Sequence, residues 1–244
     1  MDLGIAGRKA AVAAATAGLG RAAAAALVAE GVEVTICGSD AGRAEAAAAE
    51  LGAAWVVADL TDPEAAARFV GDAASTMGGL DILVVNGPGP RAGTIADVAP
   101  QDYQAALDRS LLAPVRMCLA AVPGMRAQRW GRIVAITSLG VRQPYPTLAL
   151  SSVARTGATG FLKTLAREIA ADGITVNSVQ PGLHATARAT AVYGDDPPTG
   201  EIPMRRPGAP QDLGAVIAFL CSAQANYLTG VALPVDGGTY QALL

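Results

Sequence analysis

Histidine, aromatic residues and paired cysteines are scarce in this sequence, and each scarcity narrows the possible functions. His184 is the only histidine, and the three cysteines, Cys37, Cys118 and Cys221, lie far apart with no CxxC pair. A zinc site or a disulfide framework is therefore not expected, and we predict a reducing, cytoplasmic compartment. Aromatic residues make up only 4% of the chain, so the core must be built mainly from aliphatic side chains.

Clustered positive charge and long apolar runs are also lacking. The formal net charge is −3, and no basic run exceeds two residues, which argues against nucleic acid or an anionic membrane surface as a partner. The longest purely apolar run, Ala22 to Ala29, is too short to span a bilayer. Gly18 and Gly20 interrupt the apolar stretch after Arg8-Lys9, so we expect no signal peptide there.

What the chain does contain is a regular alternation of short apolar runs and longer alanine-rich segments. Helix-like segments follow most of the runs, and the runs show no polar alternation, which predicts parallel strands that are buried on both faces. The predicted strands are Lys9–Ala14, Glu33–Cys37, Ala54–Ala58, Asp81–Val85, Arg132–Thr137, Thr175–Val179 and Val231–Val235. The fold class is therefore α/β, a doubly wound, Rossmann-like parallel sheet in three layers, with its ligand crevice at the carboxyl ends of the strands.

The helical segments fill the connections between these strands. They are predicted at Arg21–Glu30, Arg43–Leu51, Pro63–Met77, two stretches within Pro100–Trp130, Val153–Ala171 and Gln211–Cys221. Pro114 and Pro123 are expected to break or bend the stretches within Pro100–Trp130. No change of composition marks a second domain, so residues 1–244 are interpreted as one domain. Residues 186–210 are rich in Gly, Pro and charge, which is typical of a mobile lid over the crevice.

Several turns at predicted strand ends are suited to a dinucleotide. Thr16-Ala17-Gly18-Leu19-Gly20 joins the first strand to a helix, where backbone N–H groups can approach a pyrophosphate. Taken alone, such a turn is as often purely structural. The other turns are Asp59-Leu60, Asn86-Gly87 and Pro181-Gly182 with Thr186. Their convergence on one crevice is much less expected by chance than any one turn.

Longer motifs make the pattern specific. They are Asp81-Ile82-Leu83-Val84, Val176 to Gly182 with Thr186, and the tail from Arg206-Pro207-Gly208 to Val235-Asp236-Gly237-Gly238. Over almost its whole length the chain resembles the short-chain dehydrogenase/reductase family, with the acyl-carrier-protein ketoacyl reductase branch nearest. The resemblance implies NADP or NAD as cofactor.

Two positions depart from the family's cofactor motifs. Its leading Thr-Gly falls on Ala13-Ala14, so a methyl group replaces the first glycine of the phosphate turn. We expect Ala14 to force a negative φ or a displaced turn, with weakened or lost cofactor binding. The choice between NAD and NADP stays open, because Gly38 occupies the position of the acid that selects NAD and Ser39 that of a basic residue. Arg43 could reach a 2′-phosphate, but a solvated helix face is the favoured interpretation.

The family's catalytic positions are largely replaced. Its chemistry uses a Ser that polarises the carbonyl, a Tyr that transfers the proton, a Lys that lowers the Tyr pKa, and an Asn. The resemblance places these on Ser138, Ser151, Arg155 and Ser110, so three of the four residues have changed. Arg155 can still hold ribose hydroxyls or stabilise an oxyanion, whereas an alkyl hydroxyl is a poor acid.

Two other residues are candidates for the missing acid. Tyr145 lies in a proline-stiffened loop and is either the acid or an aromatic wall of the pocket, with the wall favoured. His184 follows the Pro-Gly turn and is either an acid or base or simply a lid residue.

Three functions remain open from the sequence. The first is an atypical NAD(P)-dependent oxidoreductase acting on the carbonyl or alcohol of a small apolar or polyketide-like substrate. The second is a non-redox enzyme on the same fold, such as a cyclase, dehydratase or isomerase. The third is a non-catalytic partner subunit. The resemblance also implies a homotetramer or homodimer assembled through the long helices and the C-terminal tail.

Overall fold

The computed structural model describes residues 2–243, and its centre is a parallel sheet. The strands are β1 (Lys9–Val12), β2 (Glu33–Gly38), β3 (Ala54–Val57), β4 (Ile82–Val85), β5 (Gly131–Ile136), β6 (Ile174–Pro181) and β7 (Ala232–Val235). Their order across the sheet is 3-2-1-4-5-6-7, and every neighbouring pair is parallel. The order reverses between β1 and β4, where a doubly wound sheet opens its ligand crevice.

Helices cover both faces of this sheet. They are α1 (Gly18–Ala29), α2 (Ala41–Leu51), α3 (Pro63–Met77), α4 (Pro100–Leu107), α5 (Ala113–Ala127), α6 (Ala149–Ile169), α7 (Ala187–Tyr193) and α8 (Pro210–Cys221). Within residues 2–243, none of them is both long and apolar enough to cross a membrane. The predicted three-layer α/β fold in a single domain is confirmed.

Two aliphatic layers hold the helices to the sheet. On one face, α3, α5 and α6 pack around Phe69, Met117 and Leu165. On the other face, α1, α2 and α8 pack around Leu27 and Ile217. Each Å² of apolar surface buried in this way contributes roughly 25 cal/mol to the free energy of folding. Many small aliphatic side chains can therefore supply the buried area that a few aromatic side chains would otherwise provide.

The structure differs from the predicted elements at three places. The chain stays helical through Pro123, although a break or bend was expected there. A π-helical turn, Asp108–Leu112, joins α4 to α5 just before Pro114, and such turns often mark functional sites. The segment 186–210 contains α7, because Thr186 caps a helix by accepting a hydrogen bond from the Ala189 N–H.

Ala14, after β1, has an unusual backbone conformation. Its φ is +47°, so of the two expected alternatives, a negative φ or a displaced turn, the negative φ is excluded. The backbone is fixed on both sides, since the Ala13 N–H donates to Val84 and the Ala15 N–H to Cys37. The Ala14 carbonyl also accepts a 3.2 Å hydrogen bond from Asn86 Nδ2. Neighbouring strands therefore impose a left-handed conformation that a Cβ disfavours.

Replacing Ala14 with glycine is expected to stabilise the protein. The left-handed conformation costs a non-glycine residue about 1–2 kcal/mol. The added freedom of glycine in the unfolded chain offsets about 0.4–1 kcal/mol of that gain. Ala14→Gly should therefore raise the free energy of unfolding by about 0.5–1 kcal/mol, measured by denaturant titration.

Ala13→Gly is the matched control, because Ala13 is buried and is not among the residues with positive φ. It should destabilise the protein. Equal destabilisation by both substitutions would contradict the strain at Ala14.

Candidate active site

A cavity of about 710 Å³ opens at the carboxyl edge of the sheet. This volume lies within the range of roughly 300–1,000 Å³ that small-molecule sites occupy. The predicted cofactor-binding residues that line it are Thr16, Gly18, Leu19, Ser39, Asp59, Leu60, Asn86, Gly87, Arg155, Pro181, Gly182 and Thr186. The turns that were expected to converge therefore do so in one crevice.

Gly20 does not line the cavity, but the packing of α1 behind the cavity requires a glycine at this position. A Cβ at this position would lie 2.4 Å from the Ala14 carbonyl oxygen and 2.7 Å from Asn86 Nδ2. Helix α1 can therefore pack against the end of β1 only with glycine here. The close packing places the N-terminal turn of α1 at the cavity wall. There Gly18 lies near the side chain of Thr186, the residue that caps α7.

The end of β2 is closed to a carboxylate side chain. A Cβ at Gly38 would lie 2.5 Å from Thr16 Cγ2, so no acid fits at this position unless Thr16 moves. The next acid, Asp40, is engaged because it accepts a 2.8 Å hydrogen bond from the Arg43 N–H and caps α2. Ser39 is thus the polar side chain that the end of β2 presents to the cavity.

Ser138, Ser151 and Tyr145 line the other end of the same cavity. Ser138 Oγ accepts a 3.0 Å hydrogen bond from the Gly140 N–H, which leaves its own O–H free to donate. Burial and the nearby acidic groups raise the pKa of Tyr145. A raised pKa keeps the phenol protonated at neutral pH and weakens it as an acid, which agrees with the favoured role of an aromatic wall.

Arg155 extends from α6 to the end of β5. Its Nη1 donates to the carbonyl oxygens of Ile136, at 2.9 Å, and Thr137, at 3.1 Å. Burial, followed by the charge of Arg188, lowers the pKa of Arg155 to about 10. The guanidinium therefore remains charged at neutral pH, and within residues 2–243 no carboxylate forms a salt bridge with it.

Ser110 lies outside the main cavity. It is buried in the π-helical turn, and its Oγ has no hydrogen-bond partner among the described residues. A separate void of about 20 Å³ lies between Ser110, Asn86 and Arg155, which is room for one water molecule. Ser110, with a shorter side chain than the family's Asn, and Arg155, with a longer side chain than its Lys, therefore both border the space behind the cavity.

The surroundings of His184 suit a structural residue better than a solvent-exposed acid. The residue is only 4% exposed, and its backbone bridges to Gly208. Nδ1 lies 3.2 Å from the Gly182 carbonyl oxygen, and Nε2 is buried without a partner in residues 2–243. Burial lowers the pKa of the imidazole, so the neutral form is favoured.

Arg188 also lines the cavity, although no sequence motif predicted it. It lies in α7, two residues after Thr186, and its Nη2 donates to the Pro90 carbonyl oxygen at 2.8 Å. Only the folding of α7 brings this residue over the loop after β4. Glu201 and Ile202, farther along the segment 186–210, were missed for the same reason, and Thr147 reaches the cavity from the loop before α6.

Comparison with known proteins agrees with this architecture. The family model described as enoyl-(acyl carrier protein) reductase matches residues 13–240. Human dehydrogenase/reductase SDR family member 4 is 33% identical over 245 residues, covering 96% of this chain and 88% of that protein. The 3-oxoacyl-[acyl-carrier-protein] reductase FabG of Escherichia coli (strain K12) is 33% identical over 239 residues, covering 96% and 98%.

Two solved structures are similar over nearly the full length. L-sorbose reductase from Gluconobacter frateurii, complexed with NADPH and L-sorbose, has a TM-score of 0.91 and 31% identity and covers 100% of both chains. YwfH, an NADPH-dependent reductase involved in bacilysin biosynthesis, has a TM-score of 0.91 and 25% identity, covering 98% of this chain and 100% of that one.

The buried His184 predicts a pH-dependent stability. Because its folded-state pKa lies below the ordinary value of 6.5, the unfolded chain binds more protons in the acidic range. Its stabilising contribution is therefore complete above pH 6.5 and is lost as the pH falls through and below that value. His184→Gln removes this titration and can keep a hydrogen bond to Gly182.

Denaturant titration of both proteins between pH 8 and pH 5 measures this contribution. The stability of the wild type relative to His184→Gln should fall steadily below pH 6.5. A constant difference across the range, or one that grows on acidification, would show that the folded protein does not hold the ring neutral.

Proposed function

The chain belongs to the short-chain dehydrogenase/reductase family, and we propose that it is an atypical NAD(P)-dependent oxidoreductase of a carbonyl/alcohol pair. The observation that carries the proposal is the single cavity that joins the glycine turn to Ser138, Ser151 and Arg155. A dinucleotide and the bond to be reduced need to share such a space. When bound, the nicotinamide gives or accepts a hydride.

We propose NADP as the favoured cofactor. Gly38 is backed by Thr16, so the carboxylate that would select the free ribose hydroxyl of NAD is missing, and nothing acidic at that position repels a 2′-phosphate. Ser39 lines the cavity at the end of β2, and Arg43, an exposed cation whose Nε lies 3.6 Å from Asp40 Oδ1, follows in α2. The two similar reductases are described with NADPH, which supports the same choice.

Ser138 and Arg155 would act on the substrate oxygen. The Gly140 N–H occupies an acceptor site of Ser138 Oγ, so the hydroxyl proton is directed elsewhere, toward an oxygen in the cavity. Ser151, on the same wall, offers a second hydroxyl. The buried charge of Arg155 stabilises negative charge that develops on that oxygen, because few dipoles screen it. In addition, its free N–H groups are suited to hold ribose hydroxyls.

This set of residues favours reduction over oxidation. Reduction builds negative charge on the oxygen, which Arg155 stabilises, whereas oxidation requires a base to remove the hydroxyl proton. Tyr145 has a raised pKa and His184 is buried, so neither is tuned as that base. We propose that solvent or a bound water supplies the proton and that Tyr145 forms an aromatic wall.

The substrate proposed for this site is a small, largely apolar or polyketide-like carbonyl compound. Apolar side chains from three segments, among them Leu148, Val192 and Ile202, line the end of the cavity beyond Ser138. Residues 186–210 are proposed as the lid over this end, since Arg188 and Val192 on α7 line the cavity. A lid that carries part of the wall excludes water when it closes.

A non-redox enzyme is the second candidate. It is favoured by the exchange of three family residues and by the placement of Arg155 between Ser110 and Asn86, where the guanidinium leaves only a small void. A cyclase, dehydratase or isomerase needs oxyanion stabilisers but no hydride. A non-catalytic subunit is less well supported, because the cavity retains both halves of a site.

A homotetramer or homodimer in a reducing, cytoplasmic setting completes the proposal. Leu119 on α5 and Val153 on α6 are more than half exposed, and Leu233 on β7 is 39% exposed, which would suit burial between copies. Light scattering at micromolar concentration would reject this assembly if it gave the monomer mass of 24.4 kDa. All three thiols are buried and free, which suits a reducing compartment.

The cofactor proposal is tested by titrating dialysed protein with NADPH and NADH in a calorimeter. We expect NADPH to bind more tightly than NADH and Ala14→Gly to tighten binding of both, because it relaxes the turn beside the pyrophosphate. Ser39→Asp, which places a carboxylate at the end of β2 without the clash expected at Gly38, should abolish the NADPH preference. If neither dinucleotide binds at millimolar concentration, the redox function is wrong.

The catalytic proposal is tested by exchanging the tetrad residues, with nicotinamide absorbance as readout. Arg155→Ala should reduce activity at least about a hundredfold, since one missing oxyanion donor costs roughly 10²–10³ in kcat. Ser151→Ala should cost much less, because it removes one neutral hydrogen bond. Arg155→Lys should not restore full activity, because a point charge does not replace a planar fork.

The double variant Ser151→Tyr with Arg155→Lys restores the family pair and serves as the positive control. It should gain carbonyl reduction if the rest of the site is intact. Substrate turnover by the wild type with no change in nicotinamide absorbance, together with an inactive Arg155→Ala, would favour the non-redox enzyme.

A further inference from the structure

The cavity holds two guanidinium groups, and neither forms a salt bridge within residues 2–243. Arg155 bonds only to backbone carbonyls, and Arg188 bonds to the Pro90 carbonyl oxygen. The two are close enough for the charge of Arg188 to lower the pKa of Arg155. The cavity carboxylates, Asp59 and Glu201, pair with neither. Two unneutralised cations at one opening attract an anion.

We infer that Arg188 is a specificity-determining residue that binds an anionic group, a carboxylate on the substrate, between α7 and the loop after β4. The inference rests on the proposed oxidoreductase function and narrows its substrate class to carbonyl compounds that carry a negative charge.

The position of Arg188 suits this role. Its guanidinium lies over Gly89, where a Cβ would be 3.7 Å from Nη2 and 3.9 Å from Nε. The bond to Pro90 uses one N–H group, so most of the five donors stay available for an incoming oxygen pair. Planar guanidinium forks bind carboxylates in bidentate fashion.

Two carboxylates also line the cavity, and neither of them neutralises Arg188 by a salt bridge. Asp59 is engaged by the Thr61 N–H, at the edge that follows β3. Glu201 is exposed and acts on Tyr145, whose pKa it helps to raise. The remaining apolar wall then fits the carbon skeleton of the substrate, while Arg188 fixes its charged end.

The same anionic chemistry could come from the cofactor pyrophosphate, and the experiment separates the two sources. Protein saturated with NADP⁺ is titrated in a calorimeter with 2-oxohexanoate, 5-oxohexanoate and neutral 2-hexanone. NADP⁺ affinity is measured first for the wild type, Arg188→Gln, Arg188→Lys and Arg206→Gln. Arg206, which pairs with Asp212 and does not line the cavity, is the matched control for loss of one charge.

We expect one or both oxo acids to bind the wild type at least about tenfold more tightly than 2-hexanone. A gain in affinity of this size is what a charge-assisted, bidentate hydrogen-bond pair provides. Arg188→Gln should remove that advantage and leave 2-hexanone and NADP⁺ affinities within twofold. Arg188→Lys should retain part of it, and Arg206→Gln should retain all of it.

Equal affinity of the wild type for the oxo acids and 2-hexanone would overturn the inference. The inference would also be overturned if Arg188→Gln lost affinity for NADP⁺ but kept the preference for oxo acids. That result would show that Arg188 binds the pyrophosphate of the cofactor. If NADP⁺ does not bind the wild type, the proposed oxidoreductase function fails instead. In that case the same titrations with the oxo acids and 2-hexanone are made on protein without NADP⁺, and they still test the anion site.

Discussion

The parallel direction of all seven strands is the constraint on which this molecule depends. Parallel strands need a crossover after each strand, so every turn that leaves a carboxyl end opens at the same edge of the sheet. Residues that are far apart in the chain, such as Gly18, Asn86 and Pro181, therefore meet in one cavity. The aliphatic layers above and below the sheet pack the helices against it, and Arg188, Val192 and Ile202 from the segment 186–210 complete the cavity wall.

Arg155 shows how the carboxyl edge of the sheet can hold a charged side chain. The carbonyls of Ile136 and Thr137, at the end of β5, accept hydrogen bonds from its guanidinium and hold a full charge at the base of the cavity. A charge fixed in this way contributes an electrostatic field without any proton exchange. Ser110 and Arg155 border the same small void behind the cavity, so the short side chain of one lies near the long side chain of the other.

The sequence predicted the sheet well because buried parallel strands have a distinctive pattern, and every predicted strand lies within about two residues of the observed one. The crevice residues were also predictable, since strand ends are local features. The φ of Ala14 was not, because it is imposed by hydrogen bonds from Asn86 and the neighbouring strands. Arg188 was missed because only the folding of α7 over the β4 loop brings it to the cavity.

A dinucleotide and the fixed Arg155 charge should share one cavity, and a crystal structure of the protein grown with saturating NADPH would show whether they do. We expect the pyrophosphate at the Gly18–Gly20 turn and the nicotinamide half in contact with Arg155, whose bonds to Ile136 and Thr137 should be retained. A cavity that excludes NADPH, or an Arg155 side chain that leaves those carbonyls and does not contact the cofactor, would contradict this arrangement.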